Sequence, residues 1–168
     1  MLEQILAVGP AHMYILICSD ADTFDECKES ALNVAMNRLQ NGVWPLYKGT
    51  RNRKHIKEDD KCLIYLAVGG EWAQHIIASA HVKAKRNLKV SEAVDSKDLL
   101  VNRPDQVLEL GNIGLIEPIP IRCLLGKLSF LHSKMWGAAF QGGCRRVSPE
   151  DAELLEKHIV RKDSSFTH

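Results

Sequence analysis

This sequence has no Cys-x-x-Cys pair, no His-x-x-x-His pair and no glycine-rich phosphate loop; Gly69-Gly70 and Gly142-Gly143 stand as isolated doublets. These absences remove the common zinc sites, the nucleotide-binding P-loop and the dinucleotide fingerprint. No metal set or cofactor is therefore expected, and no nucleophile–base pair marks a catalytic residue. No apolar run approaches the roughly 18 residues that span a bilayer, and no basic residue precedes the first apolar stretch, so neither a membrane span nor a signal peptide is expected. The chain also lacks a charge excess. Its 22 Lys and Arg stand against 21 Asp and Glu, for a net charge of +1. Any affinity for nucleic acid must come from how the charges are distributed. The five cysteines, Cys18, Cys27, Cys62, Cys123 and Cys144, are odd in number and form no disulfide framework. Reduced thiols in the cytoplasm are the expectation. There is no internal repeat and no low-complexity linker, and 168 residues suit one domain spanning 1–168.

The basic residues do gather. Lys48, Arg51, Arg53, Lys54 and Lys57 form one group, Lys83, Lys85, Arg86 and Lys89 a second, Arg145 and Arg146 a third. A solvated face of mixed charge and a nucleic-acid footprint both fit these runs.

Residues 13–18 are apolar to the last and predict a buried strand. Thr23-Phe24-Asp25-Glu26 has the capping-box pattern. Phe24, Cys27, Ala31, Ala35 and Leu39 then recur at helical spacing to the cap pair Asn41-Gly42, which predicts a helix over 23–40. Residues 61–68 and 75–85 read as two strands paired antiparallel. Residues 87–104 read as loop. Residues 107–116 read as a strand broken at Gly111-Asn112, and Glu117-Pro118-Ile119-Pro120 as an extended break. Short helices are expected within 121–140. Ser148-Pro149-Glu150-Asp151 starts a last helix, with Ser148 as cap and Pro149 in its first turn. The tail from 162 onward is expected to fray. The order is that of an α+β fold, a small and mostly antiparallel sheet or barrel flanked by helices.

The densest chemistry lies in 42–68. Trp44 supplies an aromatic face. Thr50, Asn52 and Arg53 supply a hydroxyl, an amide and a cation within nine positions of it. These are the groups that stack a planar base, read its edge and hold its phosphate. Trp44 can also be core, as large aromatics usually are; the nearby Asn52 and Arg53 turn the reading toward a pocket wall. Trp136 is open between core and cage, Trp72 between rim and anchor, and Tyr47 and Phe140 read as core. His75 and His81 share a strand face by parity, but unpaired histidines are usually surface or singly bonded. Cys18 beside Ser19 reads as a buried thiol, and Glu58-Asp59-Asp60 as a solvated turn.

Four stretches of the chain resemble the EVE domain, a member of the PUA-like superfamily related to YTH domains. The first is Tyr14-Ile15-Leu16-Ile17-Cys18-Ser19. The second runs from Gly42-Val43-Trp44 through Thr50-Arg51-Asn52-Arg53 and Ile56-Lys57 to Asp60 and Leu63-Ile64-Tyr65. The third is Ile76-Ile77-Ala78-Ser79-Ala80-His81-Val82. The fourth joins Leu128 to Leu131, Lys134, Trp136-Gly137, Phe140-Gln141-Gly142 and Arg146-Val147-Ser148. The resemblance implies a small barrel with flanking helices and a cleft that takes a modified base, notably a methylated cytosine in DNA. It implies Trp44 as cage wall, Asn52 as pocket-lining polar group, Ser19 at the pocket floor and Trp136 as a further wall. The sequence departs from the family at Asp59-Asp60, where relatives carry Gly-Asp. It also has no tryptophan between Val82 and Leu108, where YTH domains place a second cage wall.

The reading is a non-catalytic module that binds a modified base, flipped into an aromatic pocket, in nucleic acid, with DNA favoured over RNA. A partner nuclease and a role in restricting foreign modified DNA go with the resemblance. The pocket is assigned to Ser19, Trp44, Thr50, Asn52 and Trp136, and phosphate contacts to Lys48, Arg51, Arg53 and Lys54. Two rivals remain. One is a PUA-like amidohydrolase acting on a modified nucleoside, for which Lys61 and Glu71 would have to converge. The other is a small-molecule sensor using the same pocket.

Overall fold

The unbroken apolar run at residues 13–18 is explained by what covers it: both of its faces are buried. In the computed structural model, which describes residues 11–22, 27–67, 70–95, 103–131 and 134–165, Met13–Cys18 forms β1, an interior strand of a seven-stranded sheet. Tyr14, Leu16 and Cys18 face one core, with Cys62, Ile64 and Leu66 of β5 (Lys61–Leu66). Met13, Ile15 and Ile17 face a second core, with Leu63 and Tyr65. Alternation along two adjacent strands thus builds two hydrophobic layers.

The first layer is closed by helix α1 (Ala31–Asn41), which buries Ala31, Val34, Ala35, Arg38 and Leu39. The expected helix over 23–40 is corrected at its start. Lys28–Glu29 (β3) pairs with Ala21–Asp22 (β2) as a two-stranded ribbon, and the helix begins after Ser30. The Ser30 hydroxyl accepts from Asn33 N (3.2 Å), and the Asp20 carboxylate accepts from Ala31 N (3.0 Å). Two otherwise orphaned donors are satisfied there. The capping-box residues 23–26 lie outside the described residues. The C-terminal expectation stands: Gly42 is left-handed at φ 67° and donates to Arg38 O and Leu39 O.

The second layer is covered by α2 (Pro149–His158) and by two 3-10 turns, Ile121–Leu124 and Trp136–Phe140. Ser148 caps α2 as its pattern predicts, accepting from Asp151 N.

The strand order is β4-β7-β6-β5-β1-β8, where β4 is Val43–Leu46, β6 His75–Asn87, β7 Gln106–Pro120 and β8 Cys144–Val147. The pairing is mostly antiparallel, but β1 and β5 run parallel, so the sheet is mixed. Repeated register shifts along β6 and β7 curl it strongly into a half-barrel. Three expectations are revised here. Gly111-Asn112 does not break β7; Asn112 takes φ 49° and the strand continues through it. Residues 117–120 stay in β7 and do not form a break. The tail does not fray from 162: Arg161–Ser165 forms β9 against β7, and Arg161 donates to the Asn112 carbonyl at 2.7 Å.

Candidate functional site

Trp44 lies in β4. Pro45 beside it has no amide to donate, and β4 is accordingly an edge strand. The Trp44 ring is 2 % exposed and belongs to the first core layer. One part of it also lines a recess of about 170 Å³ with Ile17, Ser19, Arg38, Pro45, Tyr47, Thr50 and Gly143. Thr50 is fixed there by a tight turn: its N–H donates to Tyr47 O, and its hydroxyl accepts from Tyr47 N, both at 2.9 Å. Ser19 is exposed at the end of β1. Three of the five pocket residues read from the sequence, Ser19, Trp44 and Thr50, therefore line one recess.

Behind that recess lies a group absent from the sequence reading. The Arg38 guanidinium sits 4.7 Å from the Trp44 ring centroid and donates to Asp95 through Nε at 3.1 Å and Nη2 at 2.5 Å. Tyr47 adds a 3.4 Å hydroxyl contact to the same carboxylate. Arg38 was visible in principle, because it falls on the buried stripe of α1 with Ala31, Val34 and Ala35. Asp95 was not, because nothing local marks it.

Next to the recess, and sharing Ile17, Ser19 and Gly143 with it, lies a cleft of about 560 Å³. Its aromatic residues are Tyr65, Trp136 and Phe140, and its polar ones include Gln74, Lys134 and Gln141. The Tyr65 and Phe140 rings stack at 4.1 Å and 17°. Trp136 meets Phe140 edge-on at 6.4 Å. Burial pushes the Tyr65 hydroxyl up to about 12, so it is a neutral donor at physiological pH. Trp136, the fourth pocket residue from the sequence, is on this side of Ser19. Tyr65 was quoted in the sequence only as part of a strand, and Phe140 was read as core.

Asn52, the fifth, faces elsewhere. It is left-handed (φ 58°), and its side-chain amide donates to Cys144 O at 3.1 Å. It lines a third recess, of about 210 Å³, with Arg51, Ala139, Gln141, Cys144, Arg145 and Arg146. Gln141 is common to this recess and the aromatic cleft.

Of the cations read as phosphate contacts, Lys48, Arg51 and Lys54 are exposed. Arg53 pairs with Asp105 at 2.8 Å. The Glu58-Asp59-Asp60 turn is not wholly solvated. Asp60 is fully buried and accepts from His12 N and Lys57 N, both at 2.9 Å. Lys61 pairs with Glu156 and lines a separate cavity of about 520 Å³ with His81. Glu71 is exposed beyond the other end of β5 and does not line that cavity. His75 and His81 are separated by two register shifts of β6. His75 is bonded to Ala73 O at 2.7 Å. Among the described residues no helix is long and apolar enough to cross a membrane.

No family model matches this chain, and no curated protein matches it. Among solved structures it is similar to the N-terminal domain of Staphylothermus marinus McrB, with a TM-score of 0.56 over 89 % of this chain and 95 % of that one, at 10 % identity. That likeness bears on the fold: α+β, a curled mixed sheet and two helices.

Proposed function

We propose that this chain is a non-catalytic, EVE-like reader module, one domain over 1–168, that takes a modified base of a nucleic acid into the aromatic cleft around Ser19. The observation that carries the reading is the joint lining by Ile17, Ser19 and Gly143 of two adjoining cavities. One is the narrow recess with Trp44, Tyr47 and Thr50. The other is the wider cleft with Tyr65, Trp136 and Phe140. A base entering from solvent meets the aromatic lining of the cleft at the half-buried Trp136, and its edge meets Ser19, Thr50, Gln74 and Gln141. A flipped base needs these two kinds of contact. The reading extends to a methylated cytosine in DNA, to a cytoplasmic setting and to a partner nuclease as the consumer of the recognition event.

The amidohydrolase alternative is disfavoured at its proposed pair, because Lys61 is engaged with Glu156 at the start of β5 and Glu71 lies beyond the other end of that strand. The sensor alternative uses the same cleft and differs only in ligand size.

The test is a titration against oligonucleotides carrying 5-methylcytosine, 5-hydroxymethylcytosine or N6-methyladenine, as DNA and as RNA, beside the unmodified strands and the free nucleosides. One buried methyl is worth about 1–3 kcal/mol, roughly 10- to 200-fold in affinity. A preference of that size for one modified strand over both its unmodified form and its free nucleoside supports the reader. Equal binding of all strands sinks it, tight binding of the free nucleoside alone assigns a sensor, and a cleaved or deaminated product by mass spectrometry assigns an enzyme.

A further inference from the structure

Among the described residues, the recess beside the cleft is lined by three arginines and no carboxylate. Among the described residues three arginines are paired with carboxylates, Arg38 with Asp95, Arg53 with Asp105 and Arg86 with Glu92 and Glu109, while Arg103 and Arg161 are held by backbone carbonyls. Arg51, Arg145 and Arg146 converge on one recess of about 210 Å³, and among the described residues none of them has an ion-pair partner. Like charges gathered this way oppose one another.

Each is nevertheless held in place. Arg145 lies 4.2 Å from the Phe130 ring centroid and donates to Ala139 O at 3.2 Å. Its Nε is buried without a hydrogen-bond partner among the described residues. Burial and then the Arg51 charge draw the Arg145 guanidinium down from its ordinary range against the opposing pull of Asp151, and a bound anion would act in the same sense as Asp151. The Arg51 side chain runs across Gly142, where a Cβ would stand 2.6 Å from its Cδ, and Arg51 N donates to Gly142 O at 2.8 Å. Gly142 has φ 87°, so both its backbone and its missing side chain serve this crossing. Arg146 reaches the His12 ring at 3.2 Å.

The position of the recess relates it to the cleft. Thr50 lines the Trp44 recess, while the next two residues, Arg51 and Asn52, line the basic one. Gly143 lines the Trp44 recess and the cleft, Gln141 the cleft and the basic recess. Two short segments, 50–52 and 141–146, therefore separate the aromatic side from the cationic side by the width of a loop.

We propose that Arg51, Arg145 and Arg146 form a seat for a phosphodiester group of the strand whose base occupies the neighbouring cleft, with Asn52 as a positioning residue that ties the 50–53 loop to Cys144. The base-reading conclusion supplies the partner; the anion chemistry stands on the arginines alone. The guanidinium fork matches phosphate oxygens, and a dianion or diester offsets the opposition between Arg51 and Arg145.

The experiment uses two short single-stranded DNA oligonucleotides, identical except for one 5-methylcytosine, titrated at several salt concentrations against the full chain. Arg145→Gln and Arg146→Gln should each weaken both strands about equally, several-fold at low salt. Each should lower the slope of log K against log salt by about 0.7, the value for one phosphate contact on a single strand. Lys157→Gln removes the same charge from the exposed side of α2 and should leave the slope unchanged. Arg145→Lys keeps the charge where Arg145→Gln disturbs packing on Phe130, and should retain the slope. If both Arg145 variants misfold, the exposed Arg146 decides alone. Wild-type slopes in the arginine variants, or a change no larger than that of Lys157→Gln, overturn the seat. Equal binding of the two strands combined with arginine-dependent slopes removes the base reading and leaves the seat standing. Inorganic phosphate is a separate arm. Its tight, arginine-dependent binding without measurable oligonucleotide binding assigns a free anion and overturns the proposal.

Discussion

The guanidinium of Arg38 lies 4.7 Å from the ring centroid of Trp44, placed there by its hydrogen bonds to the buried carboxylate of Asp95. The tryptophan that lines the recess is thus backed by a cation, which is in turn fixed by a residue 57 positions away. Burial alone would pull the Arg38 guanidinium down, but the hydrogen bond and charge of Asp95 leave it raised, so it stays charged at any working pH.

Arg38→Met is predicted to strip Asp95 of that pairing and cost about 3–5 kcal/mol of unfolding free energy, the range for breaking a buried pair from one side. The combined change Arg38→Met with Asp95→Leu should recover much of that loss. Urea unfolding followed by tryptophan fluorescence measures both. A single-variant loss under about 1 kcal/mol would mean that the pair behaves like a surface bridge.

Trp44→Ala opens a cavity in the first core layer and should cost about 3–5 kcal/mol. Trp44→Phe keeps most of the volume and should stay folded while losing part of the preference for the modified strand, because the smaller ring covers less of a stacked base. Titration of the folded variants against modified and unmodified oligonucleotides decides it. Full selectivity in Trp44→Phe would move the reading wall to Tyr65 and Trp136.

The thiols divide sharply by burial. Cys27 and Cys123 are exposed; Cys18, Cys62 and Cys144 are buried. Burial, with the Asp60 carboxylate adding to it, pushes Cys144 up to about 12 from 9.0. Iodoacetamide near pH 8.5 should alkylate the two exposed thiols and spare the three buried ones until the chain unfolds, as read by peptide mass spectrometry.

The same shifts set an alkaline limit on stability. Cys144 (9.0 unfolded, about 12 folded) and Tyr65 (10.0 unfolded, about 12 folded) both hold their protons more tightly in the native state. Their contribution is complete below pH 9 and is lost as pH rises toward 12, at up to about 1.4 kcal/mol per unit for each group. Urea midpoints should therefore fall from about pH 9 upward, and a flat profile to pH 11 contradicts the burial argument.

Asp59 is left-handed at φ 73°, the position where related sequences of the resembled family carry glycine, and its N–H donates to Val82 O at 2.9 Å. A non-glycine residue there carries a backbone penalty of about 1–2 kcal/mol, less for aspartate. Asp59→Gly should leave the fold unchanged and shift the unfolding free energy by no more than about 1 kcal/mol, in the stabilising direction if strain outweighs the added chain entropy. Asp59→Val should lose more than that, and the pair of urea curves tests whether the turn is under strain.

Much of the fold was legible because it depends on local chemistry. The apolar runs 13–18 and 61–68, the Asn41-Gly42 stop and the Ser148-Pro149 start each state their structure within a few residues. The start of α1 misled, because Phe24, Cys27 and Ala31 continue a helical period into a segment where the helix starts only after Ser30, its first donors at Ala31 and Asn33 being satisfied by Asp20 and Ser30. The tail misled because β9 is polar, and its order comes from pairing with β7 rather than from its own composition.

For the site, the sequence by itself determined which residue types were at hand: Trp44, Thr50 and Asn52 close together, Ser19 ending a strand, and three groups of cations with almost no net charge. Only the tertiary structure decided how they divide. The turn at 47–50 and the left-handed backbone of Asn52 send Thr50 toward Trp44, and Arg51 with Asn52 toward Arg145 and Arg146. The parallel pairing of β1 with β5 brings Tyr65 beside Ile17, the residue shared by recess and cleft. Contacts such as Arg38 with Asp95 and Asn52 with Cys144 span 57 and 92 positions. Their partners carry no local signal, because a hydrogen bond or ion pair closed across the fold depends on where the curled sheet places two backbones and not on the residues beside either one.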